Sequence, residues 1–255
     1  MYRAVYQSWL VPEQGINGTQ PSRRRSTSTV IDSNGIAYIF GGRVELDMAS
    51  DKLILYNEMY IFNTIQVSWQ NISAAPNTPS RRSHSAAVLL QNGKIVYIGG
   101  VGQNAPGNQT NLISMDEIQI FDTNTLSWSS HKANTPSTIQ SRVGHTAVLT
   151  PDKNSLIIMG GTSSIEYNQT TVTPGLLMLD VQSEPFKYSI PKTSGASENN
   201  PPPLSFHTAN VYRDYMIVAF GNITNGEKES QEVSSNIYLL YIPCMSWEST
   251  FISGK

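Results

Sequence analysis

Apolar residues in this chain gather in short β-branched and aromatic stretches that close on glycine. Ala37-Tyr-Ile-Phe40 stops at Gly41-Gly42, Ile95-Val-Tyr-Ile98 at Gly99-Gly100 and Leu156-Ile-Ile-Met159 at Gly160-Gly161; Met216-Ile-Val-Ala-Phe220 stops at Gly221-Asn222. Runs of four to six such residues bounded by turn signals read as buried strands. Their recurrence at a period of roughly 60 residues is the signature of a repeat architecture. A second marker keeps the same phase: Trp69, Trp128 and Trp247 each follow their glycine pair, with Phe186 or Tyr188 in the third copy.

Each copy divides into four extended segments. The first runs from Thr27 to Ile31, His84 to Leu90, His145 to Leu149 and His207 to Tyr212. A tight turn follows, and Ser33-Asn34-Gly35 and Gln91-Asn92-Gly93 carry the Asn-Gly hairpin signal. The second segment ends at the glycine pair, where asparagine is expected to replace the second glycine in copy four because it tolerates left-handed backbone. The third segment alternates in part, as in Glu58-Met-Tyr-Ile-Phe62, and the fourth carries the aromatic. Four antiparallel strands repeated around an axis make propeller blades, so the expected fold is all-β, with the tryptophans packing between blades.

Composition narrows the function. The 17 Lys and Arg against 19 Asp and Glu give no basic field of the kind nucleic-acid binding needs. Cys244 is the only cysteine, which leaves no intrachain disulfide and no multi-cysteine metal site. No apolar stretch reaches the roughly 20 residues that span a bilayer as a helix.

The segment Ser80-Arg81-Arg82-Ser83-His84, the strand ending at Gly99-Gly100, the strand end Phe121-Asp122 and the following Trp128 together resemble the kelch motif. The resemblance runs from Pro21 to Phe251 and implies a kelch β-propeller, while saying little about ligand. It is looser toward kelch proteins of fungi, many of them secreted or membrane-tethered. The chain reads as one propeller domain, with repeats at 21–73, 80–132, 141–190 and 204–251. Residues 1–10 match the last strand of a further blade, because Trp9 precedes Trp69 by one repeat. Kelch propellers of six or seven blades imply an incomplete ring here, with apolar faces on the two end blades.

The second-to-third and blade-to-blade connections are the long ones and emerge on the same side, which is the expected binding face. Candidate ligand contacts there are Arg43, Tyr56, Gln103, Asn104, Glu166 and Tyr167, with Arg25, Arg82 and Arg142 deeper on the same side. Arginines can grip a carboxylate bidentately, yet in kelch repeats they often serve the blade framework. His84, His145 and His207 read as sharing one repeat phase. Neighbouring blades lie about 10 Å apart, so one metal cannot reach two of these histidines, and strand capping is the expected role. No cofactor is expected. The functional expectation is a non-catalytic scaffold that recognises a protein or a glycan; the alternative implied by the resemblance is a copper-dependent sugar oxidase of the galactose-oxidase type. Five sequons, at Asn17, Asn71, Asn108, Asn168 and Asn222, permit an extracellular or cell-surface location.

Overall fold

The computed structural model describes residues 2–3, 8–9, 15–45, 53–73, 75–164, 169–224 and 232–251. Four antiparallel blades account for most of them. Blade 1 orders Ser28–Ile31, Ile36–Phe40, Met59–Asn63 and Ser68–Asn71, and blade 2 orders Ala86–Leu89, Lys94–Ile98, Glu117–Asp122 and Ser127–Lys132. Blade 3 orders Thr146–Leu149, Ser155–Met159, Leu176–Asp180 and Lys187–Ser189; blade 4 orders Thr208–Tyr212, Tyr215–Ala219, Ile237–Tyr241 and Ser246–Glu248. The first strands of the four blades neighbour one another in sequence order, as strands lining a propeller axis do. Tyr2–Arg3 pairs with Ser8–Trp9, and Tyr2 stands opposite Trp9 as Phe62 stands opposite Trp69.

The core lies between blades. Tyr38, Phe40 and Met59 of blade 1 meet Ile95, Tyr97 and Trp128 of blade 2, with the Phe40 and Trp128 ring centroids 4.5 Å apart. Leu156, Leu177 and Tyr188 of blade 3 pack with Val96 and Ile118 of blade 2. Trp247 of blade 4 packs with Ile157 and Met159 of blade 3. The fourth-strand aromatic therefore covers the preceding blade. Trp69 has no preceding blade among the described residues and is only half-buried, where Trp128 is 2% exposed.

Strand pairing corrects two details of the repeat. Ser28, Ala86, Thr146 and Thr208 are equivalent, because they face Phe40, Ile98, Met159 and Ala219. Two residues earlier, Ser26, His84, Gly144 and Phe206 share left-handed backbone, with φ of 58°, 56°, 68° and 53°. His84 is thus one position out of phase with His145 and His207, whose equivalents are Thr27 and Ser85.

The second correction falls on the glycine pair. Gly41 and Gly42 have φ of 67° and 95°, and the residues that repeat these values in blade 4 are Phe220 and Gly221, at 62° and 93°. Asn222 is not the substituted glycine; it begins a separate short strand, Asn222–Ile223, paired with Leu204–Ser205. The first position of the pair is normally glycine because of the next blade. A Cβ on Gly41 would lie 2.3 Å from the Arg82 carbonyl oxygen, and one on Gly160 would lie 2.2 Å from that of Leu204. The second glycine donates its amide to the same carbonyl, Gly42 to Arg82 at 3.0 Å and Gly161 to Leu204 at 2.8 Å.

A feature with no hydrophobic signature was not legible in the sequence. Each linker runs beside the outer strand of the blade it is about to enter. Trp69 donates its amide to Asn17 at 2.8 Å, Trp128 to Pro76 at 3.1 Å and Tyr188 to Asn134 at 2.8 Å. In blade 4 the same contact is a parallel fifth strand, Ser194–Gly195, against Ser246–Trp247. Gly18 belongs to this contact, since a Cβ there would lie 1.9 Å from the Trp69 carbonyl oxygen.

Candidate functional site

In their described parts, the long second-to-third connections form paired ribbons. Arg43–Glu45 pairs with Leu53–Leu55; Val101–Gln103 pairs with both Thr110–Leu112 and Arg81–Ser83. Asn222–Ile223 pairs with Glu232–Val233, and in blade 3 isolated bridges join Val143, Thr162 and Thr171. These ribbons stand over the segments leading into the first strands. The four left-handed residues there close on one another: His84 donates its amide to Ser26 at 3.0 Å and Phe206 donates to Gly144 at 2.7 Å. The Phe206 ring reaches from blade 4 to the His84 ring of blade 2, edge on, at 5.9 Å.

The arginines divide into two sets. Arg24, Arg82 and Arg142 are equivalent by register, with Leu204 in blade 4, and all three are framework residues. Arg24 pairs with Glu58 at 2.6 Å and stacks over Tyr56 at 3.8 Å. Arg82, 2% exposed, donates to the Ser80 carbonyl at 3.1 Å and pairs with Glu117 at 3.4 Å. Arg142, fully buried, donates to the carbonyls of Gln140 and Gly160, both at 3.2 Å, and its Nη2 is left without a partner. The glutamate of blades 1 and 2 is Gly175 in blade 3, and burial lowers the Arg142 pKa to about 10.

Arg25 and Arg43 are different. They form an antiparallel backbone bridge, Arg25 to Arg43 at 3.0 Å and the reverse at 2.8 Å. Arg25 is exposed and its guanidinium pairs with Glu45. Arg43 is half-buried with an unpartnered Nε, and its pKa is lowered by desolvation first and by Arg25 second. His84 sits beside them, its Nδ1 3.2 Å from Ser83 Oγ, with a pKa lowered to about 4 by burial, then by Arg43 and Arg25.

The remaining candidates separate. Gln103 is buried and structural: its Oε1 accepts from the Leu55 amide at 3.0 Å and its Nε2 donates to Leu53 and Asn108, which ties the ribbon of blade 1 to that of blade 2. Asn104 is exposed at the ribbon end, and Tyr56 lies half-buried under Arg24. Glu166 and Tyr167 lie outside the described residues. His145 and His207 are buried against the preceding blade, where a Cβ on Gly99 or Gly160 would meet the imidazole Cε1 at 2.8 Å. Sequence reasoning missed Phe206, Glu58 and Glu117. The glutamates were findable in principle, since each follows its arginine by 34 or 35 positions.

A hollow of about 780 Å³ lies at the opposite end, where Asp32, Asn34, Asn92, Asn124 and Lys153 meet at the short turns. Two of its polar side chains are bonded within their own turns: Asp32 Oδ1 accepts from the amides of Asn34 and Ile36, and Asn92 Oδ1 from that of Lys94. At the ribbon end Arg43 keeps a buried Nε without a partner. Among the described residues no three of His, Cys, Asp and Glu converge as metal donors. Cys244 is exposed in the short helical turn Ile242–Cys244, away from the ribbons.

Four-stranded antiparallel blades joined in this register, with glycine pairs receiving the next blade, define a kelch-type β-propeller. The profile of the Attractin/LZTR1 beta-propeller family matches residues 1–254, and the chain belongs to that family. A solved structure titled "Structure of YjhT" superposes with a TM-score of 0.66 at 17% identity, covering 91% of this chain and 72% of its own. Putative protein tag-53 of Caenorhabditis elegans is 26% identical across 98% of the chain, which spans 18% of that relative. Acyl-CoA-binding domain-containing protein 5 of Arabidopsis thaliana is 28% identical over 61% of the chain, which spans 21% of it. The N-acetylneuraminate epimerase of Pasteurella multocida (strain Pm70) is 32% identical over 32% of the chain, which spans 20% of it. The chain therefore spans about a fifth of the curated relatives it matches.

Proposed function

We propose that this chain is a non-catalytic binding module that recognises a protein or a glycan through the ribbon end of its propeller. The observation that carries this reading is Arg43, whose Nε is buried without a partner on a paired ribbon strand, while Asp32 and Asn92 at the opposite end are bonded within their own turns. Rigid strands that present ribbons on one side suit recognition, which concentrates on connections held by a scaffold. Relatives as unlike as an acyl-CoA-binding-domain protein and an epimerase share this fold, so fold alone does not choose between binding and turnover. Binding is favoured because no metal-donor set stands among the described residues, and the Ser83–His84 contact at the ribbon end joins adjacent residues with Ser83 only 1% exposed. The copper-oxidase alternative requires a tyrosine–cysteine pair with histidine ligands, and no three His, Cys, Asp or Glu residues converge at exposed Cys244 among the described residues.

The test is an array of glycans and peptides probed with the purified chain, repeated with a variant carrying Asn104→Ala and Asn111→Ala at the exposed ribbon of blade 2. Ligand retention that weakens in this variant is the expected result. Retention unaffected by ribbon changes, or copper-dependent release of hydrogen peroxide from sugars, would overturn the reading.

A further inference from the structure

We propose that the ribbon end beside blades 1 and 2 holds a carboxylate-binding site formed by the guanidinium groups of Arg25 and Arg43, with His84 as an uncharged neighbour. The inference rests on the reading of the ribbon end as the binding face and names the ligand chemistry it takes.

The geometry comes from the backbone. Arg25 and Arg43 exchange both amide–carbonyl hydrogen bonds, so they are directly opposite and their side chains leave the same face of the ribbon. Like charges placed opposite each other are unfavourable, and a strand pair normally avoids them. Here one carboxylate, Glu45, reaches Arg25, and no carboxylate among the described residues reaches Arg43. Arg24 and Arg82 each meet a glutamate, and Arg142, which meets none, is fully buried and donates to the carbonyls of Gln140 and Gly160. Arg43 is the half-buried cation that the described residues leave with an unpartnered Nε.

Charge and shape select the ligand class. Two guanidinium groups and one carboxylate leave a single positive charge, which a monoanion neutralises and a phosphate dianion overshoots. The planar fork of a guanidinium matches a planar carboxylate. His84 stays uncharged at neutral pH because burial and the two arginines push its pKa down to about 4, so it adds hydrogen-bonding capacity without charge. The 45%-exposed Phe206 ring beside His84 supplies an apolar wall for the carbon skeleton next to the carboxylate. An acidic sugar and an acidic peptide both present that chemistry.

The experiment is calorimetric titration of the whole chain with three probes: glucuronate, an acetylated tetraglutamate amide, and inorganic phosphate. At least one carboxylate probe is expected to bind and phosphate to bind more weakly, with the sugar or the peptide arm identifying the source. Arg43→Gln should weaken the carboxylate probe by about tenfold or more with an unchanged thermal midpoint. Glu45→Gln, which frees Arg25, should strengthen it. If Arg43→Gln unfolds the chain, the Glu45→Gln gain alone decides. Asp47 and Asp51 fall in sequence between the two ribbon strands, outside the described residues, and the double variant Asp47→Asn/Asp51→Asn tests whether they fill the site. Binding seen only in that variant would overturn the proposal, as would equal binding of phosphate, no carboxylate binding, or indifference to both Arg43→Gln and Glu45→Gln. An array ligand that responds to the ribbon variant but not to Arg43→Gln would sink this site and leave the binding face standing.

Discussion

Gly160 of blade 3 and Phe220 of blade 4 occupy one position of the repeat with nearly the same backbone, φ 64° and 62°. One is the smallest residue and the other among the largest. Gly160 has the Leu204 carbonyl and the His207 imidazole of the next blade pressed against its α-carbon, whereas Phe220 is 57% exposed with no described blade beyond it. The comparison teaches that glycine is kept here by its neighbour. Left-handed backbone alone costs a non-glycine residue only a kcal/mol or two, which Phe220 bears. The contact between blades is what admits no side chain.

The largest effect should come from exchanging the two environments. Gly160→Phe is expected to cost more than about 5 kcal/mol, because it drives a side chain into backbone that cannot move aside without parting blades 3 and 4. Phe220→Gly should change stability by about 1 kcal/mol or less. Urea titrations of both variants check this, and a stable Gly160→Phe would remove the account of the glycine pair.

The same buried contact sets an acid limit. His145 and His207 have pKa values lowered by burial to about 3 and about 4, against an ordinary value near 6.5. Above pH 6.5 neither state takes up a proton. Below it the unfolded chain gains protons that the folded chain refuses, so stability falls as pH drops from about 6.5 toward 4, by roughly 6 kcal/mol for the two together. Thermal midpoints measured across that range should decline steeply, and His145→Gln or His207→Gln should each flatten the decline.

Interior and end blades should also differ in what their tryptophans contribute. Trp128→Ala should cost roughly 3 to 5 kcal/mol, as expected for a large aromatic removed from a full contact with Phe40 and Tyr97. Trp69→Ala, on the side of blade 1 where the described residues place no further blade, should cost about half as much. Equal losses would mean that something covers blade 1.

The smallest effect tests Arg142. Its unpartnered Nη2 faces a repeat position where blades 1 and 2 carry glutamate, and a Cβ on Gly175 would meet nothing within 4 Å. Gly175→Glu should raise stability by about 0.5 to 1 kcal/mol, through the new ion pair and the lost freedom of glycine in the unfolded chain. A neutral or destabilising result would mean that the ion pair of the other blades cannot be transplanted.

Much of the fold was legible because strand pattern and repeat phase are local. The second segments at Phe40, Ile98 and Met159 lie inside four-stranded sheets as expected, and the fourth-strand aromatics of blades 2, 3 and 4 pack between blades. What escaped depends on register. Phe220-Gly221-Asn222 reads as an apolar run followed by a glycine, and only the pairing of Thr208 with Ala219 places the left-handed pair one residue earlier. His84 looks equivalent to His145 until Ala86 and Thr146 are matched across their sheets. Of the proposed site, the sequence named Arg43 among the loop candidates and Arg25 with Arg82 and Arg142, and did not bring Arg25 and Arg43 together, since exposure and partners are not written in spacing.

The linker that borders each outer strand has a consequence for the life of the chain before it is folded. An outer strand is a row of unpaired amides and carbonyls ready to recruit another molecule. Here the residues that shield it, Asn17, Pro76, Asn134 and Ser194–Gly195, all precede that strand in the chain. Synthesis proceeds from the N-terminus, so the shield of every blade leaves the ribosome some fifty residues before the edge it must cover. The edge most prone to aggregation is thus the one for which a cover is already waiting.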